Sequence, residues 1–397
     1  MGADIRREDL EKWADYLVHH SLGGVEQGDV VMVKGEHVCW PLLSMLQDKI
    51  FAAGAIVDMN LVAPDNDRGK VWGASMARHG SLEQIEQVPE WQMQRYQAMN
   101  KYIEVLGAES PELFDNQPDE LAMAVMRADE PTKMVRLLKR WVITLYPTQG
   151  FADMEEMSLD DYTDVLVSAS TVDPKLLEAI EEPIHRAMTA AETIRLVTEH
   201  PQSGKRLELS MNIGGRIVEM CTGIRNFPDG EVFTSPDART VEGEIFVDMP
   251  VFQGGTTIQG IHLRFEGGVI REYSAQKGGE ALAKIIETDE GSHRLGEVAL
   301  GMNSGIKKVL RHPLFVEKVG GTAHIAIGSS YAECYVEDPA SAQGKSACDE
   351  LHGKGILNRS AQHVDIVTDF REAAPAVRSG STRPGWRSGT ASGWWPE

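Results

Sequence analysis

Gly320-Gly321-Thr322-Ala323-His324-Ile325-Ala326-Ile327-Gly328-Ser329-Ser330-Tyr331 is the stretch around which the chain can be organised. Read as a strand, its side chains alternate between two faces. Ile325 and Ile327 then point into a core, while His324 shares the other face with Ala326 and Gly328. An imidazole followed along its own face by almost no side chain predicts open space beside the ring, filled by something other than protein.

The same arrangement occurs in Glu297-Val298-Ala299-Leu300-Gly301, where the carboxylate precedes Ala299 and Gly301 on one face. Gln362-His363-Val364-Asp365-Ile366 places His363 and Asp365 together, and Glu231 opens a short Val/Phe strand between Pro228 and Pro236. These segments supply two imidazoles and three carboxylates, a donor set suited to Zn, Co, Mn or Fe. A lone His-x-Asp says little; the weight lies in the set. All five donors sit on short apolar strands, where an unpaired charge is costly. Ion pairing with Arg225 or Arg294 is the competing explanation. Two metals about 3.5–4 Å apart need a bridging carboxylate and several terminal ligands, which five such donors can provide. Tyr331, seven residues beyond His324, could donate a hydrogen bond to a developing oxyanion.

The chain of 397 residues has room for two domains with separate cores. No run approaches the roughly 18 apolar residues of a membrane helix, and the start lacks an apolar secretory core. The expected address is the cytoplasm. A formal net charge of −21 repels phosphate backbones, which argues against nucleic-acid partners. Cys39, Cys221, Cys334 and Cys348 form no Cys-x-x-Cys pair, so reduced structural thiols are expected.

Residues 7–20 read as an amphipathic helix, followed by strand Asp29–Gly35, helix Trp40–Ala53 and strand Ala55–Val62, one βαβ unit that implies a parallel sheet. No Gly-rich phosphate loop follows the first strand, so no nucleotide is indicated. Further strands are expected at Tyr102–Gly107 and Trp141–Leu145, and helices at Asp160–Ala169 and Pro174–Thr198, the latter kinked or broken at Pro183. From Leu207 the pattern turns to β, with Leu207–Met211 and Gly215–Met220 read as a pair and Glu266-Gly267-Gly268 as a hairpin turn. The expected organisation is an α/β domain with a helical bridge over 1–200 and an α+β metal-binding domain with a mixed or antiparallel sheet over 201–370. A disordered Trp-, Arg-, Gly- and Ser-rich tail over 371–397 follows, whose Trp386, Trp394 and Trp395 could instead anchor on a partner.

The second half resembles the metallo-aminopeptidase family that includes aminopeptidases T and S. The resemblance is carried by Gly230-Glu231-Val232-Phe233-Thr234-Ser235-Pro236, Leu295-Gly296-Glu297-Val298-Ala299-Leu300, His324-Ile325-Ala326-Ile327-Gly328 with Tyr331, and Asn358-x-Ser360-x-x-His363-Val364-Asp365. It implies that Glu231, Glu297, His324, His363 and Asp365 hold two divalent ions (Zn, Co or Mn), that Glu297 also serves catalysis, and that Tyr331 lies in the active site. It further implies a homodimer that removes amino-terminal residues from short peptides. The chain departs from the family where an Asp-Glu-Asn segment usually precedes the histidine; here Glu317-Lys318-Val319-Gly320-Gly321 stands instead. Two alternatives stay open: a mononuclear Fe(II) ring-cleaving dioxygenase of the dihydroxypyridine type using His324, His363 and Asp365, and a two-metal hydrolase of a non-peptide amide or amine.

Overall fold

A computed structural model describes residues 2–62, 79–107, 119–253, 256–371, 376–377, 386–389 and 393–396. The chain divides into two compact units, Met1–Pro174 with Gly223–Pro228, and Lys175–Thr222 with Asp229–Glu397. The border expected at residues 200 and 201 falls inside the second of these.

The first unit is built on a parallel sheet in the order Ile56–Val62, Val30–Glu36, Lys101–Leu106, Arg140–Leu145 and Asn226–Phe227. Strands covered on both faces read as near-continuous apolar runs, and Val31, Met32 and Val33 are fully buried. The amphipathic helix spans Arg7–Asp15 and continues as a π-helical turn through Ser21, burying Leu10, Trp13 and Leu17. Trp13 donates its indole N–H to Thr144 Oγ1 at 3.2 Å, so its one polar atom is satisfied inside the core. The helix Trp40–Ala52 ends before Gly54, whose φ of +80° suits a residue without Cβ.

The core of the second unit is built on two antiparallel sheets. One comprises Thr193–Glu199, Arg206–Asn212, Glu242–Val247, Val251–Gln253, Thr256–Glu266 and Val269–Lys277. The other runs in the order His363–Asp369, Thr322–Gly328, Leu295–Gly301, Glu231–Thr234, Glu219–Cys221. Leu209, Ile245 and Ile261 of the first share one core with Val298, Ile325, Ile327 and Val364 of the second. Leu177 and Ile184 of the helix Pro174–Thr189 and Ile286 of the helix Gly279–Ile286 join it. Each such aliphatic side chain contributes roughly 1.5–3 kcal/mol by leaving water. With Val298, Ile325 and Ile327 committed to that core, alternation sends Glu297, His324 and Ala326 to the opposite face.

Two expectations are corrected. The helix expected over Pro174–Thr198 stops at Thr189, having run through Pro183 without a break, and Thr193–Glu199 is a strand. Its β-branched Thr193, Ile194, Val197 and Thr198 pair along the full length of Arg206–Asn212. That pairing occupies the partner expected for Gly215–Met220; instead Glu219–Cys221 pairs with Glu231–Phe233. The Glu266-Gly267-Gly268 turn is as expected, with φ of +58° and +76° at its glycines. In the Trp-rich tail, Ala376–Val377, Trp386–Gly389 and Gly393–Pro396 form a small antiparallel ladder, and its other residues beyond Arg371 lie outside the described residues.

Candidate metal centre

Register brings the five donors together. Ala326 stands opposite Glu297 on one side and Asp365 on the other, Ala299 opposite His324, Gly301 opposite Glu231, and Gly328 opposite His363. Opposed residues of an antiparallel pair share a face. All five donors therefore rise from one face of four adjacent strands, with Ala299 and Ala326 between them. Ala299 packs with Phe233 and Cys334, and the open space expected beside the glycines is not there. A Cβ on Gly328, which has φ of +110°, would lie 2.2 Å from the Gln362 carbonyl oxygen, and one on Gly301 would lie 2.3 Å from that of Val319. Neighbouring backbone fills this space. Gly328→Ala is accordingly expected to cost at least about 1–3 kcal/mol and to shift the strand end carrying His363. Urea unfolding checks it; an unchanged midpoint would mean that the Gln362 carbonyl yields without cost.

His324 Nε2 lies 3.5 Å from Glu231 Oε2, 3.6 Å from Glu297 Oε1 and 4.0 Å from Asp365 Oδ1. His363 Nε2 lies 3.0 Å from Glu297 Oε2 and 3.5 Å from Asp365 Oδ1. Ligand atoms about 2.1 Å from a common ion stand a little over 3 Å apart, so these are the separations of a coordination shell. The donors form two groups of three, Glu231–Glu297–His324 and Glu297–His363–Asp365. Glu297 belongs to both and turns one oxygen to each imidazole.

Buried polar atoms without a hydrogen-bond partner point the same way. Glu231 Oε2 and Asp365 Oδ1 have none, although both are inside the protein. The Ser329 carbonyl 2.7 Å from His363 Nδ1 can only accept, so the proton sits on Nδ1 and Nε2 is turned toward the carboxylates. The donor set and its orphaned oxygens fit divalent ions.

The imidazoles and carboxylates of the group shift one another's proton affinity. Burial disfavours a charged His363, yet Asp365 and Glu297 outweigh it and hold the ring up at about 11. Burial likewise opposes charge on His324, and Glu297, Glu231 and Asp365 hold it up at about 9. Asp365 is kept down at about 2 because the two imidazoles overcome its burial. Glu297 is lowered against burial by the same two rings. Tyr331 packs its ring 4.7 Å from that of His363, and burial with nearby carboxylates keeps its phenol neutral and able to donate.

Comparison with known proteins identifies the family. The profile of the thermophilic metalloprotease (M29) family matches residues 6–390. The chain belongs to that family. Aminopeptidase T of Thermus aquaticus is 27% identical over 406 residues, covering 93% of this chain and 94% of the relative. The structure of wild-type AmpT from Thermus thermophilus matches with a TM-score of 0.71 at 22% identity, over 98% of this chain and 97% of that one. The 2,5-dihydroxypyridine dioxygenase of Pseudomonas putida shares the fold more loosely, with a TM-score of 0.54 at 12% identity over 92% and 93% of the two chains. As a member of the M29 family the protein is a metal-dependent hydrolase that works with divalent metal.

This M29 metalloprotease also carries buried groups that sequence reading passed over. Lys318 is 3% exposed in its side chain and sits 2.5 Å from Glu231 Oε1, 3.2 Å from Glu317 Oε2 and 4.0 Å from Asp229 Oδ1. Burial opposes its charge, but Glu231, Glu317 and Asp229 raise it well above the usual lysine range. Ion pairing, the competing explanation weighed above for the buried donors, comes at Glu231 from Lys318; Arg225, one of the two arginines considered, lies over the Trp141 ring. Glu317 is pushed up to about 8, by burial first and then by Asp365. Asp229 lies just before the strand that Glu231 opens, across Gly230 with its φ of +136°. Cys221 joins Asp229 and Glu231 in a third group of possible donors.

Proposed function

We propose that the protein is an aminopeptidase that removes amino-terminal residues from short peptides, using two divalent ions held by Glu231, Glu297, His324, His363 and Asp365. The reading rests on one observation: two groups of three donors that share Glu297, with one oxygen facing each imidazole. Zn, Co or Mn suit this mixture of imidazole and carboxylate. Ions so held polarise a carbonyl and make a water nucleophilic at neutral pH. The chain's own groups do the rest. Glu297 is placed to accept and pass on the proton released as the nucleophile adds. Tyr331, 37% exposed at the rim, donates to the oxygen on which charge develops. The second unit is the catalytic domain in this reading. Four free thiols suit a cytoplasmic protein; the homodimer expectation rests on the family resemblance.

A mononuclear iron site would need only His324, His363 and Asp365, and would leave the buried Glu231 and Glu297 without a role. Elemental analysis of the purified protein, with leucyl-p-nitroanilide hydrolysis and oxygen uptake on a dihydroxypyridine, tests the choice. Two equivalents of Zn, Co or Mn with amide cleavage are expected. One equivalent of iron with oxygen uptake would overturn the reading.

A further inference from the structure

We propose that Lys318 is a positioning residue: a tethered cation that occupies one oxygen of Glu231 and so restricts this ligand to a single oxygen toward the ion shared with Glu297 and His324. The inference rests on the two-ion reading above and adds a residue outside the five donors.

Lys318 Nζ holds Glu231 Oε1 at 2.5 Å, while Glu231 Oε2 is buried without a hydrogen-bond partner and lies 3.5 Å from His324 Nε2. One oxygen is taken and the other is aimed. A carboxylate free to rotate can chelate one ion through both oxygens, and this one cannot do so while the ammonium is in place. Removing an unpaired charge from water is costly, and Lys318 meets that cost with three carboxylates, Glu231, Glu317 and Asp229. The ammonium also borders the Cys221–Asp229–Glu231 group, where it supplies positive charge beside a thiol and two carboxyl groups. The residue sits in the segment Glu317-Lys318-Val319, where the chain departs from the Asp-Glu-Asn pattern of its resemblance.

The test uses the full-length chain, stripped of metal by chelation and titrated with Co(II), followed by calorimetry and visible absorption. Wild-type protein is expected to take two equivalents in resolvable steps, and Asp365→Asn marks the step belonging to the Glu297–His363–Asp365 group. In Lys318→Met the other step should weaken by about 10–100-fold, with the Asp365-linked step unmoved. Lys318→Arg keeps the charge, which protects folding, yet its forked head engages both oxygens of Glu231 and should weaken the same step. A role confined to charge balance would leave Lys318→Arg like wild type. Wild-type affinity at both steps in either folded variant overturns the proposal. Fewer than two equivalents in wild-type protein would instead overturn the two-ion reading itself.

Discussion

Glu297→Gln is expected to cut turnover by on the order of 10²–10⁴-fold and to reduce the metal content of a protein that remains folded. No other donor serves both groups: Glu297 Oε1 is 3.6 Å from His324 Nε2 and Oε2 is 3.0 Å from His363 Nε2. An amide keeps the shape but removes the negative charge, and it turns an NH2 group toward one of the two positions. Buried and 3% exposed, Glu297 has no water to substitute for the lost oxygen. The strand itself should survive, because Leu295–Gly301 is paired on both sides through its backbone. Elemental analysis, leucyl-p-nitroanilide turnover and circular dichroism on one preparation check the three parts. Full turnover with two ions bound would remove Glu297 from the proposed role.

Glu181→Gln is expected to stabilise the protein at neutral and alkaline pH. Glu181 lies in the helix Pro174–Thr189, is fully buried, and neither of its oxygens has a hydrogen-bond partner. Burial first, then Asp229 and Glu231, push its carboxyl up to about 10 against the pull of Lys318. The folded state therefore keeps a proton that the unfolded chain loses near pH 4.5. The contribution of this group is whole below that pH and declines as pH rises toward 10. At about 1.4 kcal/mol per pH unit, the loss by pH 7 is roughly 3 kcal/mol. Glutamine stays neutral throughout and avoids the loss. Unfolding midpoints for wild type and variant should coincide near pH 4.5 and separate by pH 8. A constant difference across that range would mean that Glu181 does not titrate as described.

Much of this centre was legible in the chain. Strict alternation at Glu297-Val298-Ala299-Leu300 and His324-Ile325-Ala326-Ile327 places polar and core residues on opposite faces whatever the strands pair with. What alternation cannot convey is long-range pairing. Thr193–Glu199 looked like a helical continuation because Ile194 and Val197 also suit a helix period, and only its partner Arg206–Asn212 makes it a strand. Lys318 escaped for a related reason. A lysine beside a glutamate reads as solvated surface, and its burial depends on Asp229 and Glu231, some 87 residues upstream for the latter. The glycines misled in the other direction: Gly301 and Gly328 signalled closely approaching backbone, not open space.

One property of the sheet bears on how the site holds its shape. The scaffold beneath the donors is closed by main-chain pairing and backed by an aliphatic core. Unlike small zinc domains that fold only around their metal, this sheet draws its hydrogen bonds and its buried aliphatic contacts from the chain itself, so the five donors stand on a frame that the ions do not build.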